Sequence, residues 1–326
     1  MSINHFVLIN LKYKEEILGE LEKNLPNLDA IVEEIVDLAE SGGKYTEAPH
    51  VIEVTLPMLC SYLPIWWSRG PENMHENATE EEISKPVTTV TAKLINNVLG
   101  NVLKLIRNNI DSPHAPWMTR IAMRTQPIVG NATINMLGEH FLPVAEKLKT
   151  HALRADKEEE LYQAEKKSGS EAAAEMEEEL NKQVEILVRN MFAFYPLLIK
   201  YVDLHRTAWI KQPTKDTDAL FTVVAEIFMI WSKSVHFKRE EQNFVCQNEI
   251  DHLSLIMPDQ GSNNKSEASR SANNDSIGKK CHYTSLNVAC IKRLLPIGLS
   301  MFGGREQELI QKAKQRLIES PSRPFN

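Results

Sequence analysis

Residues 90–109 read VTAKLINNVLGNVLKLIRNN. Val90, Leu94, Val98, Val102 and Ile106 recur every four residues, and Ile95, Leu99 and Leu103 lie beside them. On a helix of 3.6 residues per turn these positions merge into one wide apolar stripe. No stretch of any length alternates with the period of two that a half-buried strand needs. The chain is therefore expected to be all-α.

The same periodicity extends in both directions. Leu28, Ile31, Val32, Ile35, Val36 and Ala39 fit a helix stopped by Gly42 and Gly43, and 12–25 reads as a helix ended by Pro26. Residues 49–67 read as a mostly buried helix kinked at Pro57 and Pro64. A polar loop, 69–85, follows. Residues 117–129 form another helix, interrupted at Pro127, and a further one starts near Thr133. It degrades into 156–179, which holds ten acidic and three basic residues and a break at Ser168, Gly169 and Ser170. That segment is either a solvent-exposed helix or partly disordered.

Helices are expected over 180–204, 219–234 and 239–256, then 285–301 and 305–319. Residues 258–280 are a low-complexity linker with few apolar residues, and limited proteolysis is expected to cut there first. There is no fixed repeat period. The implied architecture is an irregular α-solenoid of stacked helices, of the broad armadillo/HEAT type, with a disordered linker. Its parts are 1–155, the acidic 156–179, a second helical part 180–257, the linker 258–283, a helical pair 284–319 and a tail 320–326.

Composition narrows the function. The 326 residues are 42% hydrophobic and 25% charged, enough for a sizeable core. The net charge of -7 disfavours nucleic acid as a partner. The four cysteines, Cys60, Cys246, Cys281 and Cys290, have no CxxC spacing and form no evident disulfide framework. A reduced cytosolic setting is therefore expected. Met1 to Phe6 lacks the basic start of a signal peptide. The longest apolar candidate, 51–67, is broken by two prolines and carries Glu53, so no membrane span is expected. Sequons at Asn77, Asn131, Asn264 and Asn274 read as chance matches.

The search for chemistry yields no catalytic, cofactor or metal residue. GxxxxGK[ST], GxGxxG, GxSxG and HExxH are absent. His205 and His236 are far apart and read as polar helix-end residues, and Cys281-His282 alone cannot complete a tetrahedral metal site. Asp216 and Asp218 start like a calcium loop. Leu220, Phe221 and Ile227 then stand where an oxygen ligand, glycine and glutamate are needed. The better reading is a helix N-terminus capped by Thr214. A second near-match, 273–284, has Gly278 in place but fails at Ile277 and Thr284. Trp66 and Trp67 are read as a plug in the joint between helix layers.

One stretch is basic. Residues 279–316 hold Lys279, Lys280, Lys292, Arg293, Arg305, Lys312, Lys314 and Arg316 against Glu306 and Glu308. The run 291–295 could serve as a calmodulin target or a membrane-surface helix. Pro296 is expected to cut it short, which favours an ordinary packed helix with a basic rim.

Several long strings carry a resemblance. They are PHVIEVTLPMLCSYLPIWWSRGPEN at 49–73, APWMTRIA at 115–122, FYPLLIKYVD at 194–203, EIF at 226–228 with IWSKS at 230–234, KREEQNFV at 238–245, NEI at 248–250 and LLPIGL at 294–299. In order and wording these resemble the ryanodine receptor family of giant intracellular calcium-release channels, over roughly residues 28–318. The variants look more invertebrate than vertebrate.

The resemblance implies a segment of the cytosolic helical solenoid, upstream of the calmodulin-binding region and well before the pore. It implies a homotetramer in the endoplasmic or sarcoplasmic reticulum membrane whose solenoid relays conformational change to that pore. Partners would be other domains and subunits of the channel, with calmodulin or another regulatory protein near the basic C-terminal region. No family catalytic, pore or calcium-site residue maps here. The first ten residues and 320–326 depart from the family, as a fragment or truncated product would. The competing readings are a free-standing α-solenoid adaptor that binds partner proteins, and an enzyme. The second lacks any nucleophile, base and orienting group.

Overall fold

A computed structural model describes residues 56–73, 88, 90–169, 171–248 and 285–298, with isolated positions at 308, 311, 312, 315 and 316. The described residues form helices and contain no strand. They are α1 (Leu56–Ser68), α2 (Ala92–Asn109), α3 (Met118–Thr125), α4 (Leu142–Ser168), α5 (Ala173–Lys211), α6 (Lys215–Lys233), α7 (Val235–Gln247) and α8 (Leu286–Gly298). A 3-10 turn, Gln126–Asn131, and a π turn, Leu137–Phe141, lie between α3 and α4. The protein is all-α, as the periodicity at 90–106 predicts. The helices expected at 12–25, 28–39 and 305–319 and the linker 258–283 lie outside the described residues, apart from those isolated positions.

The chain divides into two compact units, one made of Met1–Asn108 with Arg124–Met136, the other of Asn109–Met123 with Leu137–Asn326. In the first, the stripe of α2 (Ile95, Val98, Leu99, Val102, Leu103, Ile106) is buried. Asn96 ties α2 to the turn that follows the 3-10 segment: its amide donates to the Asn131 carbonyl at 2.8 Å and its oxygen accepts from the Thr133 N–H at 2.9 Å. α1 continues through Pro64, and Leu56, Cys60, Leu63 and Trp66 are fully buried.

The Gly70–Pro71 corner after α1 is obligatory rather than incidental. A Cβ on Gly70 would stand 2.2 Å from the Val90 carbonyl oxygen, so only glycine allows this approach. Glu72 then caps α2, accepting from the Ala92 N–H at 2.8 Å while Trp67 Nε1 donates to it at 3.0 Å. A carboxylate there satisfies a donor that the first turn leaves without an intrahelical partner. Trp66 is buried within this unit. Trp67 is half-buried and serves the cap instead.

In the second unit α5 is the axis. It packs on α4, α7 and α8, and α6 packs on α4 and α8. Its residues 190–199 are buried on every side, the signature of a helix enclosed by others. It begins at Ala173 and continues through Pro196 to Lys211, longer at both ends than the expected 180–204. The acidic stretch 156–179 is helical on both sides of Gly169. This glycine closes α4 in the left-handed conformation (φ 73°), with its N–H on the Glu165 and Lys166 carbonyls, the usual glycine stop. Tyr162 anchors the charged end of α4 at 1% exposure.

Thr214 caps α6 in a reciprocal capping box with Thr217, as read from the sequence. Ser234 both ends α6 and caps α7, and the two helices meet at 97°. That sharp corner starts α7 at Val235, four residues before the expected 239. Pro296 does not end α8, which reaches Gly298. A proline mid-helix deprives only the carbonyl four residues earlier. Here that residue is the exposed Lys292, whose side of the helix faces water. Gly298 lies against Phe221 of α6, and a Cβ there would be 2.4 Å from the ring.

Among the described residues no single helix is long and apolar enough to cross a membrane, although α6 and α7 together pass on length and composition.

Candidate functional site

Among its described residues the second unit holds two polar constellations, the first partly exposed at Arg154 and Asp111 and the second buried, beside a groove. The first constellation pins the turn 109–117 to α4 and α5. Asp111 adopts φ 76°, a left-handed conformation that aspartate tolerates better than most residues. Its carboxylate accepts a two-pronged pair from Arg154 of α4, with Nη1 to Oδ2 at 2.6 Å and Nη2 to Oδ1. Such a fork is the strong form of a charged hydrogen bond. Arg154 Nη2 also reaches Gln183 Oε1 of α5 at 2.9 Å. The guanidinium hydrogen bonds hold the Asp111 carboxyl below its usual range.

Arg189 of α5 holds the same turn from the other side. It donates to the Ser112 carbonyl and, at 3.2 Å, to the Pro113 carbonyl. Its Nε is buried without a hydrogen-bond partner. Under both arginines lies His151, 1% exposed at its side chain. Asn190 Nδ2 lies 3.4 Å from His151 Nδ1, and His151 Nε2 lies 3.5 Å from Asp111 Oδ1. Burial pulls His151 down to about 4, against the opposing pull of Asp111, so it is neutral at pH 7.

The second constellation centres on Glu241 of α7, which is fully buried. Its carboxylate accepts from Trp231 Nε1 of α6 at 2.8 Å, from Ser285 Oγ at 2.8 and 3.0 Å, and from the Leu286 N–H at 2.8 Å. Ser285 Oγ in turn accepts from the Val288 N–H at 3.3 Å. A buried carboxyl group thus sits on the N-terminus of α8, where first-turn N–H groups lack intrahelical partners. One side chain joins α6, α7 and α8.

The groove runs between the pinned turn, α5 and α7 and has a volume of about 660 Å3. Pro113, Pro116 and Thr119 form one wall and Glu240, Phe244, Gln247 and Asn248 the other. Ile186, Glu185 and Arg189 come from α5 between them. Lys182 at its edge is taken by Glu178 at 2.8 Å.

The residues weighed in the sequence fall elsewhere. His205 lies inside α5, not at a helix end, 4.6 Å from the Tyr201 ring and 5.8 Å from Trp209. His236 is at the start of α7 but 8% exposed, edge-on to Tyr162 with Nδ1 3.1 Å from Asn181 Oδ1. Asp216 and Asp218 stand in the first turn of α6. Arg293 of the basic stretch is turned inward, donating to Asp203 at 3.0 Å, while Lys292, Lys312 and Arg316 are exposed. Cys281, His282 and the near-match 273–284 lie outside the described residues. Burial pushes the Cys60 thiol up to about 12 and the Cys290 thiol up as well, so neither is a thiolate at pH 7. Among the described residues no three His, Cys, Asp or Glu side chains gather as a metal site would need.

Asp111, Arg154, Arg189 and Glu241 escaped the sequence reading because each works across distance in the chain. Glu241 sits in a run of charged residues, 238–241, and nothing in that run sets it apart from its exposed neighbours. These groups orient backbone and fix helix ends. No family model matches the chain.

Proposed function

We propose that the chain is a non-catalytic structural segment of a ryanodine-sensitive calcium-release channel. In this reading it is part of the cytosolic α-solenoid of a homotetramer, on the cytoplasmic face of the sarcoplasmic or endoplasmic reticulum. The observation that carries it is the ordered set of resembling strings from 49–73 to 294–299. Those strings also supply much of the interior: Trp66, Trp117, Phe194, Tyr195, Tyr201 and Val202 are all buried, and Glu241 comes from KREEQNFV. Their wording therefore reflects helix packing as much as surface.

A scaffold of this kind works mechanically. Close-packed helices compress poorly, so a displacement at one end passes through as a rigid-body shift. Buried ties such as Glu241, which bind three helices at one point, support that mode. Sequencing the full-length transcript tests the reading. The frame should run on into a basic helix and then several membrane spans. A verified stop after Asn326 overturns it for this product and leaves a helical adaptor.

A further inference from the structure

The groove beside the pinned turn has the makings of a docking site. Its turn wall is fixed in advance, since Arg154 and Arg189 hold Asp111 and the Ser112 and Pro113 carbonyls. Asp111 is a non-glycine residue kept at φ 76°. Held by a two-pronged ion pair, it is backbone fixed where the local chain alone would not stay. Binding in such a groove costs little ordering of the protein.

The lining is net negative, with Asp111, Glu179, Glu185 and Glu240 against Lys182 and Arg189. Glu185 and Glu240 face the groove from α5 and α7. Among the described residues neither is clamped in a close ion pair: Glu185 feels the Arg189 charge, Glu240 feels the Arg239 charge, and Glu240 accepts from Asn243 Nδ2 at 3.3 Å. Burial first, and then the nearby Glu185 charge, raise the Glu240 carboxyl against the Asn243 hydrogen bond and the Arg239 charge, which lower it. Phe244 and Ile186 lie alongside them. Phe244 is backed by the Phe192 ring at 4.8 Å.

We propose that this groove binds an arginine-bearing peptide segment of another protein, with one guanidinium between Glu185 and Glu240 and an adjoining apolar side chain on Phe244 and Ile186. A guanidinium suits the site better than an ammonium: its planar fork can reach two carboxylates and stack on the phenylalanine face. Among the described residues no three ligands cluster, so a divalent cation has no coordination shell here. The inference is independent of the channel reading, because it uses only the geometry of this groove.

The test is fluorescence anisotropy on the full chain at physiological salt. The probe is a fluorescein-labelled peptide of alternating glycine, arginine and leucine, beside its citrulline counterpart. Saturable binding of the arginine peptide alone is expected. The double variant Glu185→Gln/Glu240→Gln should weaken it at least about tenfold. The control Glu171→Gln/Glu175→Gln removes the same charge from exposed positions of the acidic stretch and should leave affinity within about twofold. Circular dichroism melts check that each variant is folded.

Equal losses in the two variants, equal binding of the citrulline peptide, or no saturation up to about 1 mM would overturn the proposal. So would sedimentation showing a self-associated chain that excludes the peptide and dissociates on Glu185→Gln/Glu240→Gln, since the occupant would then be a second copy.

Discussion

His151 is a base kept neutral by its surroundings. Asp111, Arg154, Arg189 and Asn190 face it, and burial outweighs the Asp111 charge, lowering its pKa from 6.5 to about 4. Between those two values the unfolded chain binds a proton that the folded chain does not, so stability falls as pH drops through that window and is fully present above it. The effect is on the order of 3 kcal/mol between pH 7 and pH 4. His151→Gln should flatten the slope of urea-unfolding free energy over that range, and an unchanged slope would show the imidazole is not the group responsible. Glu241 is a buried acceptor on which three donors depend. Glu241→Ala leaves the Trp231 and Ser285 donors and the Leu286 N–H unpaired and should cost about 3–5 kcal/mol in chemical denaturation. Glu241→Gln retains one acceptor oxygen and should lose less. Neither role could be read in the sequence, where Glu241 is one charge in KREEQ and Ser285 is 44 residues away.

At the scale of the element, local chemistry was legible and one proline, Pro296, was over-read. Thr214 and Gly169 announce a cap and a stop by residue type, and both perform those roles. The stripe of α2 follows from spacing alone. Pro64 and Pro196 lie inside helices, as the expected 49–67 and 180–204 have them, but Pro296 lies inside α8 as well, because the rule for proline concerns one carbonyl a turn earlier rather than the whole element. The start of α7 was missed because Ser234 serves two helices at once, and no apolar spacing marks such a corner. Close approach also belongs to this scale. Gly298→Ala would drive a methyl into the Phe221 ring, and we expect about 1–3 kcal/mol of destabilisation in thermal or chemical melts. Pairing it with Phe221→Leu should return part of that loss. If the double variant is as unstable as the sum of the two singles, the clash is not the cause.

Across the whole molecule there are two interiors, one on α2 and α1, one around α5. Each holds its own large buried side chains, Trp66 in the first and Tyr195, Tyr201 and Trp209 in the second. Leu103→Ala should open a cavity costing about 2–5 kcal/mol and speed amide exchange in α2. Hydrogen-exchange mass spectrometry should show α5 changing less than α2, and uniform acceleration throughout would mean the two interiors unfold as one. That the protein is all-α was legible because helical spacing is a local property. The division of the chain was not, since 109–123 and 124–136 are neighbours in sequence and belong to different interiors.

The corner at Ser234 has no slack. One residue ends α6 and opens α7, so the rotational phase of α7 is locked to the length of the chain before it. One inserted residue would turn α7 by roughly 100° about its axis. Glu241 would swing away from Trp231 and Ser285, and the N-terminus of α8 would lose its carboxyl acceptor. Substitutions at the surface of α6 or α7 leave that phase alone, whereas a gain or loss of a single residue resets it. Between Thr214 and Glu241 the chain thus tolerates changes of spelling far better than changes of count.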